Sequence, residues 1–496
     1  MAILGGGTAG WMCAAALSKV SARLFDVTLI ESDEIGIIGV GEATIPTIHW
    51  FNQFVGLDPD EFMRETRASF KLGIEFVDWY SPGERYFHPF GRYGLATDPV
   101  AFHHRWIRSR EAGRSRFDFE NFALATLTAR AGRFALPSTD PKSPLSSLGY
   151  AFHFDASLYA KYLRRLSEGR GVRRVEGKVT RIDRADNGDI TVLHTDKGET
   201  IGADLFIDCS GMRALLIGGE CGVELEDWSE WFPCDRALTV PCALVRPPEP
   251  FTRATARAAG WQWRIPLQHR IGNGLVYGSG YLSDDEATVT LLGNLDGETL
   301  ADPRLIRFRV GRRALSWVRN VVAVGLSSGF LEPLESTSIH LIQSAIAKLL
   351  SLFPARDTIA MSAQQFNRLM RDEYDGVRDF LILHYHSTTR NEPLWQHCRH
   401  TAVPDSLHYK IEQFTRTGRL MLGTDELFRD ASWFSVLVGQ NHLPRDYNPL
   451  LDAESTAANA QVLSEQRRAL ASAVAAMPMH FEILKRIVNT ASMQDA

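Results

Sequence analysis

Six residues near the amino terminus, Gly5-Gly6-Gly7-Thr8-Ala9-Gly10, constrain this chain more than any other stretch. They follow an apolar run, Ala2-Ile3-Leu4, and precede an alanine-rich run; Asp26-Val27-Thr28-Leu29-Ile30-Glu31 then reads as a second strand ending in an acid. Glycine tolerates the tight turn between strand and helix and lets another backbone or a ligand come close. The spacing G-x-G-x-x-G, with an acid about twenty residues on, is that of a dinucleotide-binding βαβ unit. Free amides at the helix start suit a pyrophosphate, and Glu31 can accept from a ribose hydroxyl. A ligand-free glycine turn accounts for the hexapeptide alone, but not for strand, glycines, helix and Glu31 in order. Gly5, Gly7, Thr8, Ala9, Gly10 and Glu31 are therefore expected to contact a cofactor.

At 496 residues the chain is long enough for two or three subdomains around a shared interior. A formal net charge of -5 offers no electrostatic case for nucleic acid. Cys13, Cys209, Cys221, Cys234, Cys242 and Cys398 are scattered without a Cys-x-x-Cys, which argues against a zinc site and against a disulfide framework and fits a reducing, cytoplasmic setting. The start at Met1 leaves no room for a signal peptide before the first strand, and no apolar run is long enough to span a membrane. His384-Tyr385-His386 falls in a helical pattern, where residues two apart point to different faces, so no metal is expected there. The basic run from Arg105 to Arg116 reads as a solvated helix face.

Residues 172–195 alternate as hairpin strands, Asp204 to Gly211 reads as a buried strand entering a glycine turn, and 272–293 look β-rich. Ile339, Ile342, Ile346, Leu349 and Phe353 fall at helical spacing, and the chain from there through Glu412 to Ile487 is mostly helical. The expected fold is α/β: a doubly wound, Rossmann-like dinucleotide-binding domain with a largely helical C-terminal cap. Residues 1–350 would hold the cofactor domain with interleaved β-rich substrate-side segments, and 351–496 the cap.

Two later segments point to FAD rather than NAD. Ala203 to Gly211, with Asp208, resembles the second nucleotide-contacting strand of flavin monooxygenases and reductases, and Asn320 to Gly325, running on towards Pro333, resembles their third element. The resemblance implies that the doubly wound, Rossmann-like domain is an FAD-binding domain of the flavin monooxygenase type, and Asp208 and Gly325 join the expected cofactor contacts.

Four further segments together resemble the flavin-dependent tryptophan halogenases over essentially the whole chain. Gly260-Trp261-Gln262-Trp263-Arg264-Ile265-Pro266 contains that family's W-x-W-x-I-P signature. The resemblance implies that Trp261, Trp263, Ile265 and Pro266 line a tunnel keeping the organic substrate away from the flavin. Phe70 to Trp79 is similar to the K-x-G-x-x-F-x-x-W stretch and places Lys71 on the active lysine, which can hydrogen-bond hypohalous acid as an ammonium or, as the neutral amine, trap its halogen as a haloamine with release of water. Gly329 to Ser338 is similar to the segment E-P-L-E-S-T, which implies that the amides of Thr337 and Ser338 hold the halide and that Glu335 assists at the arene. The best-studied members carry glycine in place of Ser338, which leaves chloride against bromide open. Gly39-Val40-Gly41-Glu42-Ala43-Thr44-Ile45-Pro46 resembles the flavin-covering strap, implying contacts from Gly39, Glu42, Ala43 and Thr44; glycines beside a proline suit a loop with two positions.

Phe87-His88-Pro89-Phe90-Gly91 resembles the stretch that sandwiches an indole, and Phe428 falls where an aromatic wall is expected, so His88, Phe90 and Phe428 are the substrate residues. The paired tyrosines that clamp the amino-acid end of tryptophan are not found in Thr415 to Gly423. A bare indole, an indole derivative or another activated arene is expected instead of free tryptophan. The resemblance implies reduced FAD (FADH2), oxygen and a chloride or bromide ion as co-reactants. It also implies a separate NAD(P)H-dependent flavin reductase as partner, and it is compatible with a homodimer. The rival readings are an FAD-dependent aromatic hydroxylase, which would need neither Lys71, Glu335 nor the tryptophan pair, and a non-catalytic flavoprotein, which could dispense with the lysine and carboxylate.

Overall fold

The structure is a computed structural model and describes residues 1–21, 24–34, 41–95, 100–110, 115–355 and 358–490. The chain forms two compact units, each from three separate segments: Met1–Ala68, Phe154–Ser229 and Arg307–Asp375 make the first, Ser69–His153, Glu230–Ile306 and Gly376–Ala496 the second. In the C-terminal half the boundary falls inside the helix Ile359–His386.

The first unit is doubly wound. Its main sheet runs in the order Trp317–Val318, Val321–Ala323, Phe206–Asp208, Ala2–Leu4, Thr28–Glu31, Arg173–Glu176, parallel except at the Trp317 edge. The inner strands are mostly apolar because both faces are covered: Ile3, Leu29, Phe206, Ile207, Val321 and Val322 are fully buried. Each such side chain stabilises the fold by about 1.5–3 kcal/mol. The predicted hairpin appears as Val179–Arg184 against Ile190–Thr195. The helix with the three-and-four spacing runs Ser338–Ser351 with Ile339, Ile342, Ile346 and Leu349 buried; Phe353 lies beyond its end and is exposed.

The second unit is built on a sheet in which Arg236–Cys242, Ile271–Tyr277, Gly260–Pro266, Thr252–Arg257, Gly73–Val77 and Arg85–Pro89 lie side by side. One expectation fails here. The β-rich reading of 272–293 holds only to Tyr277, and Asp284–Leu292 is a helix. Ser283 and Glu286 form a reciprocal capping box that starts it, a local signal that outweighs the Thr and Val content of the segment.

The basic run is also different from its reading. Arg105, on the helix Phe102–Arg108, is buried, and its two terminal nitrogens meet Glu454 at 2.6 and 2.8 Å, with Asn459 at 3.2 Å. Arg108 donates to the carbonyls of Leu451 and Glu454. These cations anchor the start of the helix Thr456–Ala476. Periodicity could not show this, because the carboxylate is distant in sequence. Among the described residues no helix is long and apolar enough to cross a membrane.

Candidate active site

In the first unit the glycines divide their work. Gly5 has φ +117°, and a Cβ there would lie 2.2 Å from the Cys209 carbonyl oxygen. A Cβ on Gly6 would overlap the Glu31 carboxylate at 1.6 Å, and one on Gly10 would sit 1.8 Å from the Gly5 oxygen. These three let strand, turn and helix close up. A Cβ on Gly7 would meet nothing within 4 Å, so the turn opens on that side, beside the start of the helix Thr8–Ser21. The amides of Thr8, Ala9 and Gly10 have no partner within that helix. Gly325, at φ +77°, passes so close that its Cβ would meet that of Ala9 at 2.9 Å, bringing the third nucleotide element to the same cradle. The open side of Gly7 and this ring of glycines fit a dinucleotide.

Glu31 ends the strand Thr28–Glu31, and it is not alone. Arg174 reaches its Oε1 at 2.5 Å, and Trp11 Nε1 lies 3.3 Å from Oε2. Asp208 is turned into the fold. One of its carboxylate oxygens accepts from the amide and hydroxyl of Ser210 at 2.9 and 2.6 Å, the other from the amides of Leu216 and Ile217 at 2.9 Å each. Its side chain thus shapes the second element, with no acceptor lone pair left over for a ligand. Gly39 lies outside the described residues. Glu42 and Ala43 belong to the strand Gly41–Ala43 and Thr44 is buried; desolvation pushes the Glu42 carboxyl up to about 7.

Pro333–Glu335 forms a single turn with Glu335 fully buried, and Ser336 follows at φ +60°. That left-handed residue, costly for a side chain other than glycine, swings the chain into the helix Ser338–Ser351 with Thr337 at its cap. Leu341 donates to the Thr337 carbonyl at 2.9 Å, so the amides of Ser338, Ile339 and His340 precede the helical ladder. The Thr337 hydroxyl is buried with no hydrogen-bond partner among the described residues. Orphan amides and a spare hydroxyl at a helix start suit a small anion.

In the second unit Lys71 is fully buried at the end of the strand Ser69–Lys71, its Nζ 5.0 Å from the centre of the Phe90 ring. Strand register gathers the other expected residues. His88 pairs with Ile74, Ile74 with Thr252, Ala254 with Trp263, and Trp263 with Gly274. Paired residues share a face and alternate along a strand, so His88, Trp261, Trp263 and Ile265 all project from one side of the sheet. Gly274 makes room for this: a Cβ there would lie 2.1 Å from the Trp263 ring. Trp261 and Trp263 stand 5.9 Å apart. Pro266 alternates to the other side, and its carbonyl accepts from the Ser69 hydroxyl at 2.6 Å.

The aromatic cluster at His88 and Phe428 includes one residue the sequence did not reveal. Phe428 stacks on Phe380 with ring centres 3.9 Å apart, and His88 lies 5.8 Å from Phe380 and 6.3 Å from Phe428. Phe380 and His384 are one helical turn apart, a spacing that could have flagged an inward face; His384 packs 4.8 Å from Phe76, inside this aromatic cluster. Among the described residues no three His, Cys, Asp or Glu side chains could hold a metal. A cleft of about 570 Å³ lies against the opposite face of the sheet, lined by Glu75, Glu120, Glu249, Arg85, Arg130 and Arg253. Its charged walls are unsuited to a bare arene.

The family model for tryptophan halogenase matches residues 1–456. Tryptophan 6-halogenase SttH of Streptomyces toxytricini is 38% identical over 437 residues, 83% of each chain. Among solved structures, BrvH, a flavin-dependent halogenase from Brevundimonas sp. BAL3, is 43% identical with a TM-score of 0.93 over 98% of both chains. Xcc4156, a flavin-dependent halogenase from Xanthomonas campestris, is 45% identical with a TM-score of 0.93 over 98% of this chain and 97% of that one.

Proposed function

The chain belongs to the tryptophan halogenase family of flavin-dependent enzymes, and from that premise we propose that it halogenates an electron-rich arene, an indole or indole derivative rather than free tryptophan. The observation that carries the reading is the fully buried Lys71, in the same unit as a sheet face presenting Trp261, Trp263 and His88.

Gly5, Gly7, Thr8, Ala9, Gly10 and Gly325 would hold FAD, with Glu31 on a ribose hydroxyl and Glu42, Ala43 and Thr44 on the strap side. When bound, reduced FAD would give two electrons to oxygen, bringing it to the peroxide level at which it can take two more from a halide and yield hypohalous acid and water. The amides beside Thr337 and Ser338 hold that halide. Trp261 and Trp263 bar the organic substrate from the flavin and let the smaller oxidant pass. Lys71 hydrogen-bonds the hypohalous acid as an ammonium or carries its halogen as a haloamine. His88, Phe90 and Phe428, joined by Phe380, hold the ring flat, and Glu335 polarises the halogenating agent or takes the displaced ring proton. A separate flavin reductase supplies the reduced cofactor. The absence of paired tyrosines from Thr415 to Gly423 supports a substrate lacking the ammonium and carboxylate of an amino acid.

The test is mass spectrometry of indole, tryptophan and a panel of arenes incubated with enzyme, FAD, reductase, NADH and chloride or bromide. A halogen isotope pattern on indole that is absent with Lys71→Ala supports the reading. Oxygenated product without halogen overturns it, and preferential halogenation of free tryptophan overturns the substrate assignment.

A further inference from the structure

The strand Ser69–Lys71 is three residues long and runs antiparallel to Ala151–Asp155, with Ser69 opposite His153 and Lys71 opposite Ala151. So short a ladder fixes its own position weakly. The side chains around it do more. The Ser69 hydroxyl donates to the carbonyl of Pro266, at the end of the tryptophan strand, at 2.6 Å. With its single proton committed there, Ser69 can only accept from His153, whose Nδ1 is 3.1 Å away. Nδ1 therefore carries the ring proton, and Nε2 accepts from the Thr252 hydroxyl at 2.9 Å. Ser69 and His153 have no exposed surface and Thr252 very little. Burial, followed by the charges of Lys71, His480 and Arg264, holds the imidazole pKa well below its ordinary range, in keeping with a neutral ring.

The next residues are tied to the same stretch of chain. The Phe70 amide donates to His480 Nε2 at 3.3 Å, while His480 Nδ1 donates to the Pro248 carbonyl at 2.8 Å. The Leu72 amide donates to the Pro250 carbonyl at 2.7 Å. Residues on both sides of Lys71 are thus bonded, directly or through a histidine, to the segment between Pro248 and Pro266. His153 is the member that joins three strands at once: its own, the lysine strand through Ser69, and Thr252–Arg257 through Thr252.

We infer that His153 is a positioning residue for Lys71. Together with Ser69 and Thr252 it fixes the offset between the lysine strand and the tryptophan strand, and so sets what share of the hypohalous acid reaches the arene instead of escaping. This rests on the role of Lys71 proposed above. A neutral imidazole is suited to the place because it donates to one side and accepts from the other across a fixed ring; protonation would remove the acceptor and set a second cation near Lys71.

The experiment uses the full-length enzyme with FAD, reductase, NADH, bromide and indole. It measures brominated indole by mass spectrometry, escaped oxidising halogen by trapping with monochlorodimedone, and FAD affinity by fluorescence titration. His153→Phe is expected to lower the ratio of arene product to escaped halogen on the order of tenfold or more, as displacement of a reacting group by a fraction of an ångström does, with FAD affinity unchanged. Ser69→Ala is expected to give the same fall, and the double variant little further one, because the two are links of one hydrogen-bonded chain from Thr252 through His153 and Ser69 to Pro266. His153→Asn, which keeps a donor towards Ser69, recovers most of the ratio. If Lys71→Ala collapses the ratio while His153→Phe and Ser69→Ala leave it alone, the inference about His153 is wrong and the role of Lys71 stands. If Lys71→Ala leaves the ratio unchanged, both fall. A loss of FAD affinity in step with the ratio would mean general unfolding and also overturns the inference. Should His153→Phe not fold, Ser69→Ala and Thr252→Val carry the same comparison.

Discussion

Thr47 Oγ1 and His340 Nδ1 lie 3.0 Å apart. Thr47 directly follows the Gly41-to-Pro46 stretch and precedes the helix Ile48–Val55, while His340 stands in the first turn of the proposed halide helix. The other ring nitrogen of His340 meets Glu373 at 2.8 Å, and Glu373 also accepts from Ser344 at 2.6 Å and Lys348 at 2.5 Å. The end of the strap-like segment and the start of the halide helix are therefore held by one hydrogen-bonded set.

Thr47→Val keeps the volume of the side chain and removes its oxygen, leaving one nitrogen of His340 without that partner. A stability loss of about 1 kcal/mol is expected, read as a lower urea midpoint. The bromide concentration for half-maximal rate should rise severalfold; an unchanged value would show that the halide helix does not depend on this bond.

Glu373 should carry part of the acid stability of the first unit. Burial alone would raise its pKa, but the hydrogen bond and charge of His340 and the charge of Lys348 hold it at about 2. Because the folded value is depressed, the contribution is complete above the unfolded value of about 4.3 and disappears as pH falls through 2, amounting to about 3 kcal/mol. Urea midpoints measured from pH 5 down to 2.5 should fall less steeply in Glu373→Gln than in the native chain.

The second unit should weaken at milder acidity. Burial lowers the pKa of His103 to about 3 and of His442 and His480 to about 4. A histidine held neutral when folded takes up a proton on unfolding, so its contribution is full above about 6.5 and is lost as pH falls towards the folded value. Melting temperature should therefore begin to drop below about pH 6.5. His103→Gln can still donate to the Gly418 carbonyl, which His103 Nε2 meets at 3.0 Å, and should show a shallower slope. An equal slope would mean that His103 does not titrate on unfolding.

Gly274→Ala should disturb the tryptophan pair. Its Cβ would fall 2.1 Å from the Trp263 ring, so the indole has to move or the strands have to part. Overpacking of this kind costs about 1–3 kcal/mol. The variant should melt earlier and change its tryptophan emission, and Trp263→Phe in the same background should restore much of the loss.

Phe380→Leu should loosen the arene slot without touching halide oxidation. Phe428 would lose the ring it stacks on at 3.9 Å. The KM for indole is expected to rise, while bromide oxidation followed with monochlorodimedone in the absence of arene stays at the native rate. A fall in both would place Phe380 in support of the whole fold.

The glycine cradle was legible in the sequence because it rests on local demands, a positive φ and close backbone approaches, whereas Lys71, the tryptophan pair and the turn at Glu335 were singled out only through resemblance to the halogenase family. The same locality explains the misreadings. Arg105 looked solvated because Glu454 lies far along the chain, and Asp208 looked available because the amides that saturate it belong to a turn not evident from the pattern. Phe380, absent from the sequence reading, joins His88 and Phe428 through the packing of a helix against a sheet.

By itself the sequence determined that a dinucleotide cradle exists and which residue types stand ready for the chemistry, since backbone geometry and side-chain period depend on neighbours a few positions away. Only the tertiary structure decided that His88, Trp261, Trp263 and Ile265 share one face, that His153 is tied to Ser69, and that Thr47 is tied to His340. Strand register and helix docking set those partnerships, and both are chosen by burial summed over the whole fold, a quantity no short stretch of sequence contains.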